Sequence, residues 1–285
     1  MNYNLSLDIN LFLKATDTSL KMMAKRISVS LDVLSKVVNN KINPTDDLIE
    51  KIYSYIYDCG LRLNEEKSRY YSSQRNVVLF HASKDELIGT PSLSYSRQKV
   101  DLGVGFYTGE TYEQSLDFVC ARDKGSIYVF DVNYHGLKIK KLGVTLEWVL
   151  WVAYNRGLLE EYNDTKIYKN IQKEMNEFDV VIAPIADNRM FSTIDDFVNN
   201  GITSNTAINA LNSLSIGNQV VFKSEESLKH LTSLDRLYLC KKEKEDARHK
   251  KLVNLLNTNE NVRKEYAKNP RDGLFIKEVF ENEKI

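Results

Sequence analysis

Val77-Val-Leu-Phe80-His81-Ala82-Ser83 and, twenty residues on, Asp101-Leu-Gly103-Val-Gly105-Phe106-Tyr107-Thr108-Gly109 decide how this chain is read. The first run is a short apolar strand that ends on a histidine. The second is a strand whose entry carries two glycines and whose body carries two aromatic residues. Ser94-Tyr95-Ser96-Arg97 lies between them. Gly103-Val-Gly105 is not a dinucleotide-binding fingerprint of the doubly wound kind, because no helix follows it directly.

Working outward, strand-like runs recur at Ser126–Val132, Leu137–Lys141, Val180–Ile185, Gln219–Lys223 and Leu237–Leu239. Helical patterns fall between them, at Glu113–Ala121, Thr145–Leu159, Ile167–Glu177, Thr206–Leu214 and Ser224–Leu231. Many of these strands lie too close together for regular βαβ crossovers. The region is therefore α+β rather than doubly wound.

Upstream, residues 5–69 read as all helical. Ser19 precedes Leu20–Arg26, and Ser28-Val29-Ser30 breaks the pattern. Leu31, Val33, Leu34, Val37 and Val38 then recur at helical spacing. Asn43-Pro44-Thr45 precedes a helix with Leu48, Ile49, Ile52, Tyr53 and Ile56 on one face. The polar run Glu65–Gln74 separates two differently patterned regions. The organisation expected is a helical domain over 1–72, an α+β domain over 73–240 and a charged helical extension over 241–285. The start of that extension, from Lys241 to about Leu256, has few apolar anchors and reads as solvated.

Composition narrows the function classes. Lys+Arg and Asp+Glu are both 39, so the net charge is zero, which argues against a strong non-specific grip on nucleic acid. Over residues 1–69 ten basic residues face nine acidic ones. Cys59, Cys120 and Cys240 show no Cys-x-x-Cys spacing, and the histidines show no metal-like spacing, so no metal is expected. No signal peptide is legible. The apolar stretch Leu146–Tyr154 is too short to cross a bilayer, so a cytoplasmic setting without membrane contact is expected. No phosphate-binding Gly-x-x-x-x-Gly-Lys-Ser/Thr loop is present.

His81-Ala82-Ser83 followed by Gly103-Val-Gly105-Phe106-Tyr107 resembles the NAD-binding core of the His-Tyr type of ADP-ribosyltransferase, in a bacterial branch of formerly unknown function. The resemblance implies a split β-sheet domain with flanking helices and NAD as substrate. NAD would lie between the strand that carries His81 and the strand that carries Tyr107. In that role His81 bonds a ribose hydroxyl, Ala82 and Ser83 hold the carboxamide, and Tyr107 stacks on the nicotinamide. Gly103 and Gly105 admit the ligand to the backbone, and Tyr95 and Arg97 help to bind it.

Related enzymes carry Gly where this chain has Ala82, and Glu where it has Gln219 in Gly217-Asn218-Gln219-Val220-Val221-Phe222. A Gln keeps the hydrogen bond and loses the charge. The expected outcomes are a slow enzyme or a carboxylate supplied from elsewhere, Asp187 first and Asp101 second. The polar residues Thr203, Ser204, Asn205, Thr206 and Asn209 would contact the acceptor.

The helices resemble a repressor-type helix-turn-helix on Ser30 and Asn40-Lys41-Ile-Asn-Pro44-Thr45. Ser30, Asp32, Ser35 and Lys36 would then face DNA. Together these resemblances imply transfer of ADP-ribose to a macromolecular acceptor, protein or nucleic acid, with release of nicotinamide, as in a toxin or defence effector. Residues 1–72 would contact DNA or an inhibitor. Two alternatives stay open: a non-enzymatic DNA- or protein-binding regulator with a degenerate NAD fold, and an NAD glycohydrolase.

Overall fold

The computed structural model describes residues 3–87, 89–96, 99–214, 216–268 and 272–282. The chain is α+β. Five helices come first: α1 (Leu5–Thr16), α2 (Leu20–Arg26), α3 (Leu31–Val38), α4 (Asp46–Asp58) and α5 (Leu63–Gln74). There follow β1 (Val78–Ser83), β2 (Phe106–Gly109), α6 (Tyr112–Val119), β3 (Ser126–Val132), β4 (Ile139–Lys141), α7 (Leu146–Arg156) and α8 (Lys166–Glu174). The chain continues through β5 (Val180–Pro184), α9 (Asn188–Val198), α10 (Ser204–Ser213), β6 (Asn218–Phe222) and α11 (Glu225–Leu228). It ends on β7 (Leu231–Tyr238), α12 (Lys241–Lys268) and α13 (Ile276–Asn282).

Local chemistry explains where the early helices start. The hydroxyls of Ser19, Ser30 and Thr45 accept the backbone N–H groups of Met22, Val33 and Leu48, each three residues on. Each satisfies one donor that the first helical turn leaves unpaired.

Two compact units result. The first holds residues 1–90, 111–132 and 232–251. Its helical core gathers Ile9, Phe12, Met23, Leu34, Ile52 and Ile56. Its strands run in the order β1-β3-β7, with β1 antiparallel to β3 and His81 opposite Tyr128. The core also contains charge. Lys67 of α5 bridges Asp8 and Asp235 at 2.7 Å each, all three are buried, and Tyr53 donates to Asp8 at 2.6 Å. The polar run Glu65–Gln74 is therefore most of a helix with a buried face.

The second unit holds residues 91–110, 133–231 and 252–285. Its strands run β4-β5-β6-β2, with β4 parallel to β5 and the other neighbours antiparallel, so the pairing is mixed. Trp148 and Trp151 of α7 are fully enclosed beside Met190, Ile194 and Phe197 of α9 and Val279 and Phe280 of α13. The helix α9 is not among the helices expected from the sequence, while α13 lies within the helical extension expected over 241–285. Glu243, Lys244 and Ala247 are buried, so the start of α12 is docked rather than solvated. Among the described residues no helix is long and apolar enough to cross a membrane.

Candidate functional site

β1 alternates. Val78, Phe80 and Ala82 face one side, where Ala82 packs against a cluster that includes Phe80, Tyr112, Ile127 and Leu237. Leu79, His81 and Ser83 face the other side. A methyl group at 82 is thus accommodated by packing, which gives a physical reason for Ala in place of Gly. His81 and Ser83 are half-buried at the strand's end. The ring of His81 lies 6.4 Å from that of Tyr128, whose hydroxyl accepts Leu87 N–H at 2.9 Å. Ser126, the register partner of Ser83, accepts from Arg236 Nε at 3.1 Å. The Arg236 guanidinium lies over the Tyr3 ring at 4.2 Å and bonds Glu86 at 2.5 Å. Sequence reasoning misses Arg236 because its neighbours in the chain carry no motif. Only the pairing of β3 with β7 brings it there.

In the second unit, the segment 101–105 that enters β2 is pinned from several sides. Tyr107 Oη donates to Gly103 O at 2.7 Å and accepts Leu102 N–H at 3.1 Å. Ser96 Oγ accepts Gly105 N–H, Asn155 Nδ2 donates to Asp101 O, and Lys223 Nζ donates to Leu102 O. Burial lowers the Lys223 ammonium to about 8 and drives the Tyr107 phenol far above its ordinary value. The hydroxyl of Tyr107 is therefore committed to its own loop, and a ligand would meet its ring instead.

The glycines also have internal reasons. A Cβ on Gly105 would sit 2.4 Å from Val221 Cγ1 and 2.9 Å from Phe222 O, so close strand packing requires it. Gly103 has φ +73°, and its Cβ would meet Asn155 Oδ1 at 2.6 Å. Both positions are explained without a ligand.

Gln219, the second residue of β6, lies between two strands, opposite Gly109 of β2 and Ala183 of β5. It is buried, and its Nε2 donates to Asp101 Oδ2 at 3.3 Å and to Pro184 O at 3.1 Å. Asp101 is buried as well. Its carboxylate also accepts Arg156 Nη2 at 2.7 Å and Ala186 N–H at 3.4 Å. The Arg156 guanidinium lies 3.7 Å from the centre of the Phe191 ring. The structure thus joins Asp101 and Gln219.

Asp187, the carboxylate ranked first from sequence, receives Met190 N–H at 3.1 Å on Oδ1 and so caps the first turn of α9. Arg97 and the side chain of Tyr95 lie outside the described residues. Of the residues expected to contact an acceptor, Thr203, Ser204 and Thr206 are buried. Thr203 and Thr206 bond each other at 3.0 Å, and Ser204 Oγ accepts Leu274 N–H. Those three make internal contacts, while Asn205 and Asn209 are exposed.

Residues 77–233 match the family model described as "Protein of unknown function (DUF3990)". The match spans more than half of the chain, and the chain belongs to this family. No curated protein and no solved structure matches it.

Proposed function

We propose that this member of the family is an ADP-ribosyltransferase that consumes NAD. The observation that carries the reading is the pairing of two of the motif's strands. β2, which carries Phe106 and Tyr107, pairs directly with β6, which carries Gln219, and the Asp101 carboxylate is bonded to that Gln. In this reading nicotinamide leaves as the bond to the ribose anomeric carbon breaks. The transition state is oxocarbenium-like, as in glycoside hydrolysis. An acceptor nucleophile forms the new bond to that carbon and gives up its proton.

The protein then has little covalent work to do. It holds the dinucleotide and supports the developing positive charge. His81 offers a ring nitrogen to a ribose hydroxyl, and the backbone of Ala82 and the hydroxyl of Ser83 hold the carboxamide. Tyr107 contributes its ring face. The helical module, with α2 and α3 as a helix-turn-helix, would contact DNA or an inhibitor. Asp32 and Lys36 on α3 are exposed and paired at 2.7 Å, so the face carries no net charge from them. That favours a protein contact over a phosphate contact.

One observation favours a second reading, a non-enzymatic regulator: the Tyr107 hydroxyl and the Gln219 amide hydrogens are all engaged internally. Incubation of the full chain with NAD labelled in the adenylate half, with and without fractionated lysate, decides among them. Label in protein or nucleic acid is the expected result. Free labelled ADP-ribose alone would make the chain a glycohydrolase. NAD left intact under all conditions would refute the enzymatic reading.

A further inference from the structure

The identity of Gln219 follows from its neighbours. Its side-chain nitrogen meets two groups that only accept, the Asp101 carboxylate and the Pro184 carbonyl. An amide must turn its NH2 toward such partners and its oxygen away from them. A carboxylate at 219 would bring a second set of acceptors against these two, with no proton among them. Asp101 itself is held by Arg156 and by the backbone N–H of Ala186, so it cannot turn aside without breaking both contacts.

We infer that Asp101 is the positioning residue for Gln219: it fixes the amide so that Oε1 is presented to a ribose hydroxyl of NAD, with Arg156 holding Asp101 in place. This rests on the proposed NAD chemistry and explains why that site uses an amide. The third position of the motif becomes an amide–carboxylate pair rather than a lone carboxylate. The hydrogen-bond acceptor is retained. The negative charge sits one residue further back, next to a guanidinium. Turnover limited by weak charge stabilisation follows.

The test is a four-member cycle in the full chain: wild type, Asp101→Asn, Gln219→Glu, and the variant carrying both changes. In Gln219→Glu two carboxylates face each other. In Asp101→Asn the new NH2 must face either Arg156 or, at the other oxygen's place, both Ala186 N–H and Gln219 Nε2. Each single change should lower the melting temperature by about 5–10 °C. In the double variant the new amide at position 101 donates to the new carboxylate at position 219 and keeps its oxygen toward Arg156, so part of that loss returns, although Ala186 N–H and Pro184 O keep mismatched partners.

Turnover should follow the same pattern, with each single change lowering kcat by roughly 10²-fold and leaving KM within about twofold, since orientation acts on the transition state. The double variant, with its charge now at position 219, should recover kcat. A merely structural pair would restore the melting temperature without that recovery in kcat. If Gln219→Glu does not fold, the wild-type chain labelled with ¹⁵N-glutamine decides. The Gln219 side-chain amide protons should be protected from exchange and shifted in Asp101→Asn. Strictly additive melting shifts, or Gln219 amide signals unmoved by Asp101→Asn, would overturn the inference. NAD left intact by wild type would remove the proposed function, while the melting cycle would still decide whether Asp101 orients Gln219.

Discussion

Glu243 gives the first prediction, because it is a buried carboxylate whose described hydrogen bonds come from neutral donors. It lies in the first turn of α12, where Tyr112 Oη donates at 2.8 Å and Asn64 Nδ2 at 2.9 Å. Burial pushes its carboxyl from the ordinary 4.5 up to about 7. The two hydrogen bonds and the Arg62 charge pull it down, and Glu65 pushes it up. A folded value above the unfolded one means that ionisation opposes folding. The contribution to stability is fully present below about pH 4.5 and is lost as pH rises through 7. For a shift from 4.5 to about 7, the loss between pH 5 and pH 8 is about 2.5 kcal/mol.

Glu243→Gln removes the titration and keeps the shape. At pH 8 part of the gain is offset, because one acceptor becomes an NH2. The Tyr112 hydroxyl can accept as well as donate, so it can receive the new donor while Asn64 Nδ2 keeps its bonds to Tyr238 O and to position 243. Net stabilisation of roughly 1–2 kcal/mol at pH 8 is expected. Urea unfolding of both proteins at pH 5, 6, 7 and 8 is the assay. The difference between the two curves should grow with pH, because all other titrating groups are shared. Parallel profiles across this range would refute the reasoning.

Three further outcomes follow from the described contacts. Lys67→Met strips the buried carboxylates of Asp8 and Asp235 of their shared cation and should destabilise the chain by about 3–5 kcal/mol; adding Asp8→Asn and Asp235→Asn should restore most of the melting temperature. Tyr107→Phe keeps the ring and loses the hydrogen bonds to Gly103 and Leu102, so it should cost about 1–2 kcal/mol of stability yet leave calorimetric NAD affinity nearly unchanged. Tyr107→Ala should abolish that affinity. Asp32→Asn frees Lys36 on α3; if this face meets DNA, the salt dependence of a gel shift should steepen by about one phosphate contact, and no shift at any salt would refute a DNA contact by this face.

The elements legible in the sequence are those fixed by local chemistry. Ser19, Ser30 and Thr45 mark helix starts because a hydroxyl three residues ahead of an orphan N–H needs no tertiary partner. β3 was legible because an apolar run of that length buries on both faces. The helix α9 was not, although Met190, Ile194, Phe197 and Val198 have helical spacing. Asp187, singled out as a candidate carboxylate, caps that helix. Glu65–Gln74 read as a polar boundary and Lys241–Leu256 as solvated, yet Lys67, Glu243 and Lys244 are buried. Their partners lie far away in sequence: Asp8 for Lys67, Asn64 and Tyr112 for Glu243, and the carbonyl of Asp123 for Lys244. A charged residue is exposed by default only until the fold supplies such a partner.

The site follows the same rule at closer range. His81, Tyr107 and Gln219 were identified by motif, and each sits on a strand or at a strand's end. What the motif could not convey is why two of its positions depart from the related pattern. Ala82 is tolerated because its side of β1 is packed. Gln219 is required because Asp101, 118 positions earlier, leaves no room for a second negative group. In the proposed NAD chemistry, the role of a single carboxylate falls here to two residues, Asp101 and Gln219, that specify each other. Changing either one alone therefore tests the pair rather than the residue, and Gln219→Glu made without Asp101→Asn should damage the site instead of completing it.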